Sequence, residues 1–432
     1  MHDETIAIHG GYEADGTRAV AVPIYQTIAH DFIDAEHAGA VFDLEVPGFH
    51  YSRINNPTND VLERRLAAME GGTAALAVAS GMAAINYAVL NLARAGSNLV
   101  VAPQLYGATY TWFAHVLPTL GIEVRFADDD RASSMEPLVD DRTAAVFFET
   151  VGNPAGNVVD LDAVCTMAHA HGVPVIADNT VPTPLLCKPI EHGADVVVHS
   201  LTKFVGGHGT TLGGAIVDAG RFAWGEHADR FPMFTTPEPA FHGVVYARDH
   251  PQTAFCVRAR TVALRNTGAA LSPFNAFLLL QGLETLAVRL ERQQSNADEI
   301  ARYLAHDPRV DWVSYAGFPE HPSYELAQRY LNGRVPSIVT FGPVGGYAAA
   351  LAFFDAVQLF KRLVNLGDAK SLVSHSASTT HRQLRPEELA AAGIPPDLIR
   401  LSLGLEHVDD LLEDIDQALD VARKVAAETR DP

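Results

Sequence analysis

A chain of 432 residues exceeds what one ordinary hydrophobic core holds, so two or three domains are expected. Hydrophobic residues at 48% and charged residues at 19% describe a globular chain rather than a disordered one. Acidic residues outnumber basic ones, 52 to 31, and the net charge of −21 speaks against a nucleic-acid-binding or anionic-membrane surface.

The first residues, MHDETIAIHGGYEADG, hold no basic segment followed by an apolar run, so no signal peptide is expected. No stretch of about 18 apolar residues occurs, and no membrane span is expected. The cysteines, Cys165, Cys187 and Cys256, are far apart and odd in number, with no CxxC pair. A structural zinc site or disulfide framework is therefore not expected, and the cytoplasm is the natural compartment.

Residues 1–60 are rich in Gly, Pro, Asn and aromatics with little periodicity, and read as an extended arm. Residues 61–70 space Val61, Leu62, Leu66 and Met69 as a helix does. Short apolar runs then alternate with amphipathic segments: ALAVAS (75–80), NLVVAP (98–103), AAVFFET (144–150), VPVIADNT (173–180), ADVVVHS (194–200) and GGAIVD (213–218). Continuous runs of this length suit strands buried on both faces, which predicts an α/β fold with a mostly parallel sheet and helices on both faces. Residues 220–260 are aromatic and irregular, and read as an insertion near a site or an oligomer contact. A helical stretch begins near 272, and a smaller α+β part runs to 432, so the expected division is 1–60, 61–271 and 272–432.

Ligands in such sheets sit at the carboxyl ends of the strands, so the polar residues following these runs are the site candidates. Lys203, in HSLTKFVGGHG (199–209), lies just past a buried strand, where desolvation makes an amine able to condense with an aldehyde. Asp178 ends VPVIAD and offers a carboxylate to a protonated ring nitrogen. Ser80, Gly81 and Met82 open a helix whose free amides make a phosphate cradle, with Ser200 and Thr202 as hydroxyl donors. Tyr106 could stack on a planar group and move a proton, and Arg400 in LIRLSLGLE offers two parallel donors to a carboxylate. Each has a bland alternative: a surface lysine, a capped loop, a tight turn, a core ring, a structural ion pair. Together they supply the parts of a pyridoxal phosphate site. GGHG (206–209) follows the lysine and forms no dinucleotide-binding turn.

The motifs YSRINNPT (51–58), ASGMAA (79–84), ETVGNP (149–154), ADNT (177–180), HSLTKFVGGHG, NLGDAKSL (365–372), STTH (378–381) and RLSLGLE (400–406) resemble, in order, those of the Cys/Met-metabolism family of pyridoxal-phosphate enzymes. The resemblance implies the fold type I (aspartate-aminotransferase-like) architecture with pyridoxal 5'-phosphate as cofactor and no metal. By position it implies Lys203 as the Schiff-base lysine, Asp178 on the pyridine nitrogen and Tyr106 over the ring. Ser80, Gly81, Met82, Thr180, Ser200 and Thr202 would complete the cofactor site. Asn153 would lie by the ring oxygen, and Asn365 and Arg400 would meet the substrate. Tyr51 and Arg53 would reach the phosphate of a neighbouring subunit in a tetramer of two dimers with shared sites. Asn55, where many relatives carry glycine, leaves these two untouched.

The branch it is most similar to is that of the O-acetylhomoserine sulfhydrylases, on the segment TTPEPAFHG (235–243), on Val364 and Asn365, and on Ala108, where methionine γ-lyases carry cysteine. That similarity implies a γ-replacement turning O-acetylhomoserine and sulfide into homocysteine and acetate for methionine synthesis. O-succinylhomoserine sulfhydrylase, methionine γ-lyase and a non-catalytic relative remain the alternatives.

Overall fold

The structure is a computed structural model that describes residues 1–428, except 15, 155, 380, 381 and 383–394. Thr380 and His381 of the STTH motif therefore lie outside the described residues. The large sheet has seven strands: β1 (Ala74–Val78), β2 (Asn98–Val101), β3 (Glu123–Phe126), β4 (Thr143–Glu149), β5 (Val175–Asp178), β6 (Val196–Ser200) and β7 (Gly214–Asp218). Their order is β1-β7-β6-β5-β4-β2-β3. β7 runs antiparallel to both β1 and β6, and the remaining pairs are parallel.

The apolar runs are continuous because the sheet has a core on each face. Alternate residues of one strand enter different cores: Val146 and Phe148 of β4 join one cluster, Ala145 and Phe147 the other. β3 was not expected from the sequence. It is an edge strand whose EVRF residues stay exposed or half-buried, so no apolar run marks it.

The first long helix runs Pro57–Glu70, four residues earlier than its apolar spacing suggested. Asn56 caps it by accepting from Thr58 N–H at 2.9 Å, and Pro57 fits its first turn. The arm before it is not wholly extended. It carries the helices Asp3–His9 and Ala35–Phe42, and Arg65 pins the first by donating to Ala7 O and Gly10 O.

Residues 220–260 correct the expectation of an irregular insertion. Short helical turns at Trp224–His227, Pro232–Thr235, Tyr246–Asp249 and Ala254–Arg258 fold its aromatics into the core under the sheet. Trp224 stacks on Phe234 at 4.2 Å, and Phe231, Phe234, Tyr246 and Phe255 are fully buried.

A second, five-stranded sheet consists of β8 (Val310–Ser314), β9 (Ile338–Pro343), β10 (Lys361–Arg362), β11 (Leu372–His375) and β12 (Ile399–Ser402), in the order β10-β11-β12-β9-β8. The helices Leu286–His306, Gly346–Ala356 and Val408–Glu428 pack with it. Among the described residues no helix is long and apolar enough to cross a membrane.

Phe147 meets Phe113 edge-on at 5.0 Å in the centre of one core. Phe147→Ala is expected to cost about 3–5 kcal/mol, read as a clear fall in the thermal and urea unfolding midpoints.

Candidate active site

The carboxyl ends of β4, β5 and β6 meet β12 of the smaller sheet around a cavity of about 190 Å³. Its lining includes Ser80, Gly81, Met82, Tyr106, Asn153, Asp178, Thr180, Ser200, Thr202, Lys203, Asn365 and Arg400. Of the residues expected at the site, Tyr51 and Arg53 alone lie elsewhere in this chain. Arg53 sits over the Tyr51 ring at 5.2 Å and donates to Arg265 O.

At one end of the cavity the helix Gly81–Leu90 begins. Ser80 Oγ accepts from Ala83 N–H at 3.1 Å, and Ser80 O from Ala84 N–H. The amides of Gly81 and Met82 are left with no partner among the described residues, at the positive end of a helix. Gly81 is pressed against Ser200: a Cβ there would lie 2.5 Å from Ser200 Cβ. Thr180 Oγ1 accepts from Ser200 N–H at 2.8 Å. Thr202 Oγ1 exchanges two hydrogen bonds with Gly213, which tie the lysine loop to β7.

Two carboxylates line the cavity. Glu149 and Asp178 are register partners at the ends of adjacent parallel strands, so their carboxylates lie side by side. Burial pushes Asp178 up, against the Thr180 hydrogen bonds that favour its ionised form. Burial and then the charge of Asp178 push Glu149 well above the usual carboxylate range. Glu149 also accepts from Tyr106 N–H at 2.5 Å, which fixes the partly exposed Tyr106 ring at the cavity wall.

Two cations line the cavity as well. Lys203 Nζ donates to Asn365 Oδ1 at 2.6 Å. Burial, and then the Arg400 charge, lower the Lys203 amine from 10.5 to about 8. Arg400 is buried, and burial pushes it down to about 10. Its Nη1 donates to Asn153 Oδ1 and its Nη2 to Asn365 O, both at 2.8 Å, while Nε finds no partner among the described residues. No carboxylate among the described residues neutralises it. Asn365, expected to meet substrate, thus bridges the lysine amine and the arginine.

This polarity fits one kind of ligand. Orphan helix amides suit a phosphate, a buried carboxylate suits a ring cation, a desolvated amine suits an aldehyde, and an unpaired guanidinium suits a carboxylate. Pyridoxal phosphate joined to an amino-acid substrate carries all four groups.

Comparison with known proteins agrees. The model of the Cys/Met metabolism PLP-dependent enzyme family matches residues 4–420, and the chain belongs to that family. It is 46% identical to the homocysteine synthase of Schizosaccharomyces pombe, covering 98% of this chain and 99% of that one. It is 47% identical to O-acetyl-L-homoserine sulfhydrylase 1 of Thermus thermophilus, covering 97% and 100%. A crystal structure of a Campylobacter jejuni protein assigned as an O-acetylhomoserine (thiol)-lyase, holding a pyridoxyl-lysine monophosphate, superposes with a TM-score of 0.93 at 43% identity, over 97% of this chain and all of that one. The fold is that of the type I PLP-dependent transferases.

The sequence marks Glu149 as one of the polar residues at a strand end but assigns it no role. Its signal was an acid closing an otherwise apolar strand run, AAVFFE. Ile85, Val151 and Leu212 also line the cavity and carry no signal beyond apolarity.

Two outcomes are expected. In cofactor-free protein, acylation of Lys203, followed by peptide mass mapping, rises with pH through a midpoint near 8, because only the neutral amine is nucleophilic and below that pH it is protonated; a midpoint near 10.5 would contradict the burial of the amine. Gly81→Ala lowers cofactor affinity about tenfold or more, measured by fluorescence titration, because the new methyl displaces Ser200 from the helix start.

Proposed function

We propose that the chain is an O-acetylhomoserine sulfhydrylase, exchanging the acetate on Cγ of O-acetylhomoserine for sulfide to give homocysteine and acetate. The observation that carries this reading is the buried Arg400 guanidinium, without an acidic partner among the described residues, beside the desolvated Lys203 amine. That pairing suits a substrate that presents an α-carboxylate next to a reacting carbon. The family and the nearly full-length relatives support the activity.

In this reading the Gly81 and Met82 amides with Ser200 and Thr202 would hold the cofactor phosphate. Asp178 would face the pyridine nitrogen, Tyr106 would cover the ring, and Lys203 would bear the aldehyde carbon. Bound there, pyridoxal phosphate draws electrons from the bonds at Cα of an amino acid attached to it. Arg400 fixes the substrate carboxylate with two donors and so aims Cα at Lys203. Lys203, neutral near pH 8, takes and returns protons on that side of the substrate, and Asn365 Oδ1 steadies its amine. Asp178, whose ionised form the Thr180 hydrogen bonds favour against burial, would gain a cationic partner in the ring nitrogen. Tyr106 stands at the cavity wall, where its phenol can serve the departing acetate.

The acetyl group is favoured over succinyl. Lys203 and Arg400 are the cations lining this cavity among the described residues, and both are engaged. The adjoining cavity, of about 500 Å³, adds Gly107, Ala108, Thr111, Trp112, Val116, Pro154, Ser374 and Ser376, and no further cation among the described residues. A second carboxylate on the leaving group would meet the Ser374 and Ser376 hydroxyls there but no further cation to pair with.

Tyr51 and Arg53 lie outside their own chain's cavity on an arm that exposes Val20, Ile28 and Ile33. This supports a tetramer of two dimers in which they complete a neighbour's phosphate site. Cys165, Cys187 and Cys256 are buried and unpaired, in keeping with a cytoplasmic enzyme.

Purified protein with pyridoxal phosphate is expected to form homocysteine from O-acetylhomoserine and sulfide. The expected kcat/KM with the succinyl ester is about tenfold lower or less, and methionine alone gives no turnover. Equal use of the succinyl ester, or α-ketobutyrate from methionine, would contradict the assignment. Arg400→Ala is expected to raise KM about 10- to 100-fold; an unchanged KM would contradict the carboxylate clamp.

A further inference from the structure

Lys203 and Asn365 are 162 residues apart, yet their side chains meet at 2.6 Å. Both sit on loops, so something rigid must hold those loops in place. One face of the helix Leu286–His306 does so. Arg289, on its second turn, donates from Nη1 to Phe204 O at 2.8 Å and from Nη2 to Val205 O at 3.2 Å. These are the two carbonyls directly after Lys203. The same guanidinium reaches Gly282 O at 2.7 Å and Thr285 Oγ1 at 3.2 Å. Gln293, one turn on and fully buried, donates to Asp368 O at 2.9 Å, three residues after Asn365. The two loops are also bonded to each other, from Ala369 N–H to Gly207 O at 2.8 Å. Gly207 has φ +69°, and a Cβ there would lie 2.2 Å from Arg289 Nη1, so the guanidinium reaches the loop because no side chain is in the way.

Arg289 is an expensive device for this. It is buried, and burial lowers it to about 10 with Asp368 opposing through space. No carboxylate among the described residues bonds to it; its acceptors are neutral. A desolvated charge without a contact ion pair is destabilising unless hydrogen bonds repay it, so ion pairing does not account for an arginine here. A rigid planar fork that spans three carbonyls does.

We propose that Arg289 and Gln293 are positioning residues for Lys203: from one helix face they hold the two loops that bring the Lys203 amine onto Asn365. The proposal rests on the reading of Lys203 as the cofactor-bearing amine. Other ionisable groups around that amine are Arg400 on β12, Asp178 on β5, Glu149 on β4 and Tyr106. None of them is bonded to Arg289 or Gln293, so a change at the helix reaches Lys203 through the loops.

The test is a double-mutant cycle on the pH midpoint of Lys203 acylation in cofactor-free protein, with the wild type, Gln293→Met, Asn365→Ala and the double variant. Asn365→Ala is expected to move the midpoint by about half a unit or more. Gln293→Met should move it in the same direction, and should add almost nothing once Asn365 is gone. Arg289→Lys, whose single ammonium cannot span three carbonyls, carries the same test should Gln293→Met fail to fold. It is also expected to lower kcat of the loaded enzyme about tenfold. Unmoved midpoints, or shifts that add to that of Asn365→Ala as a merely structural effect would, overturn the proposal. Lys203→Ala separates this from the parent reading: retained visible cofactor absorbance and turnover there would remove the role of Lys203, while the midpoints decide the positioning.

Discussion

Two cations, Lys203 and Arg400, are desolvated in one cavity, the arginine's charge disfavours the lysine's, and neither has an acid in contact among the described residues. Most of the site follows from that constraint. Desolvation brings the lysine amine within reach of neutrality at physiological pH, and the arginine, which does not give up its proton, is left seeking an anion. Both are steadied by the neutral residue Asn365, through its side chain for Lys203 and its carbonyl for Arg400, so neither charge is cancelled before a substrate arrives.

The same cavity also holds groups of the opposite sign. Asp178 and Glu149 stand side by side because parallel register at the ends of β4 and β5 puts them there, and burial works against ionising both. Glu149 is partly satisfied by the Tyr106 amide, and Asp178 by Thr180. Such a cavity is strained in charge when considered alone and relieved by a ligand with a phosphate, a ring cation, an aldehyde carbon and a carboxylate. Fold and cofactor are thus matched electrostatically: strand ends supply the acids, a helix start supplies free amides, and the second sheet delivers the guanidinium.

Much of this was legible in the sequence, for physical reasons that also mark where it stopped. Six strands of the large sheet announced themselves because each is buried on both faces. β3 did not, since an edge strand with half-exposed EVRF carries no apolar run. The aromatic segment 220–260 hid its core role because Trp224, Phe231, Phe234 and Phe255 come from short turns with no period to read. Lys203, Asp178, Gly81 and Arg400 could be named since each follows or interrupts a strand run. The Lys203–Asn365 contact and the Arg289 clamp could not. They are made by folding distant loops together, and Arg289 acts on backbone carbonyls, which leave no trace in residue identity.

The central claim is that one desolvated amine, Lys203, carries the cofactor. The most direct measurement is borohydride reduction of the cofactor-loaded protein followed by peptide mass mapping. The account requires a pyridoxyl mass addition on the peptide containing Lys203 and on no other lysine. Addition at a different lysine, or none at all, would contradict it.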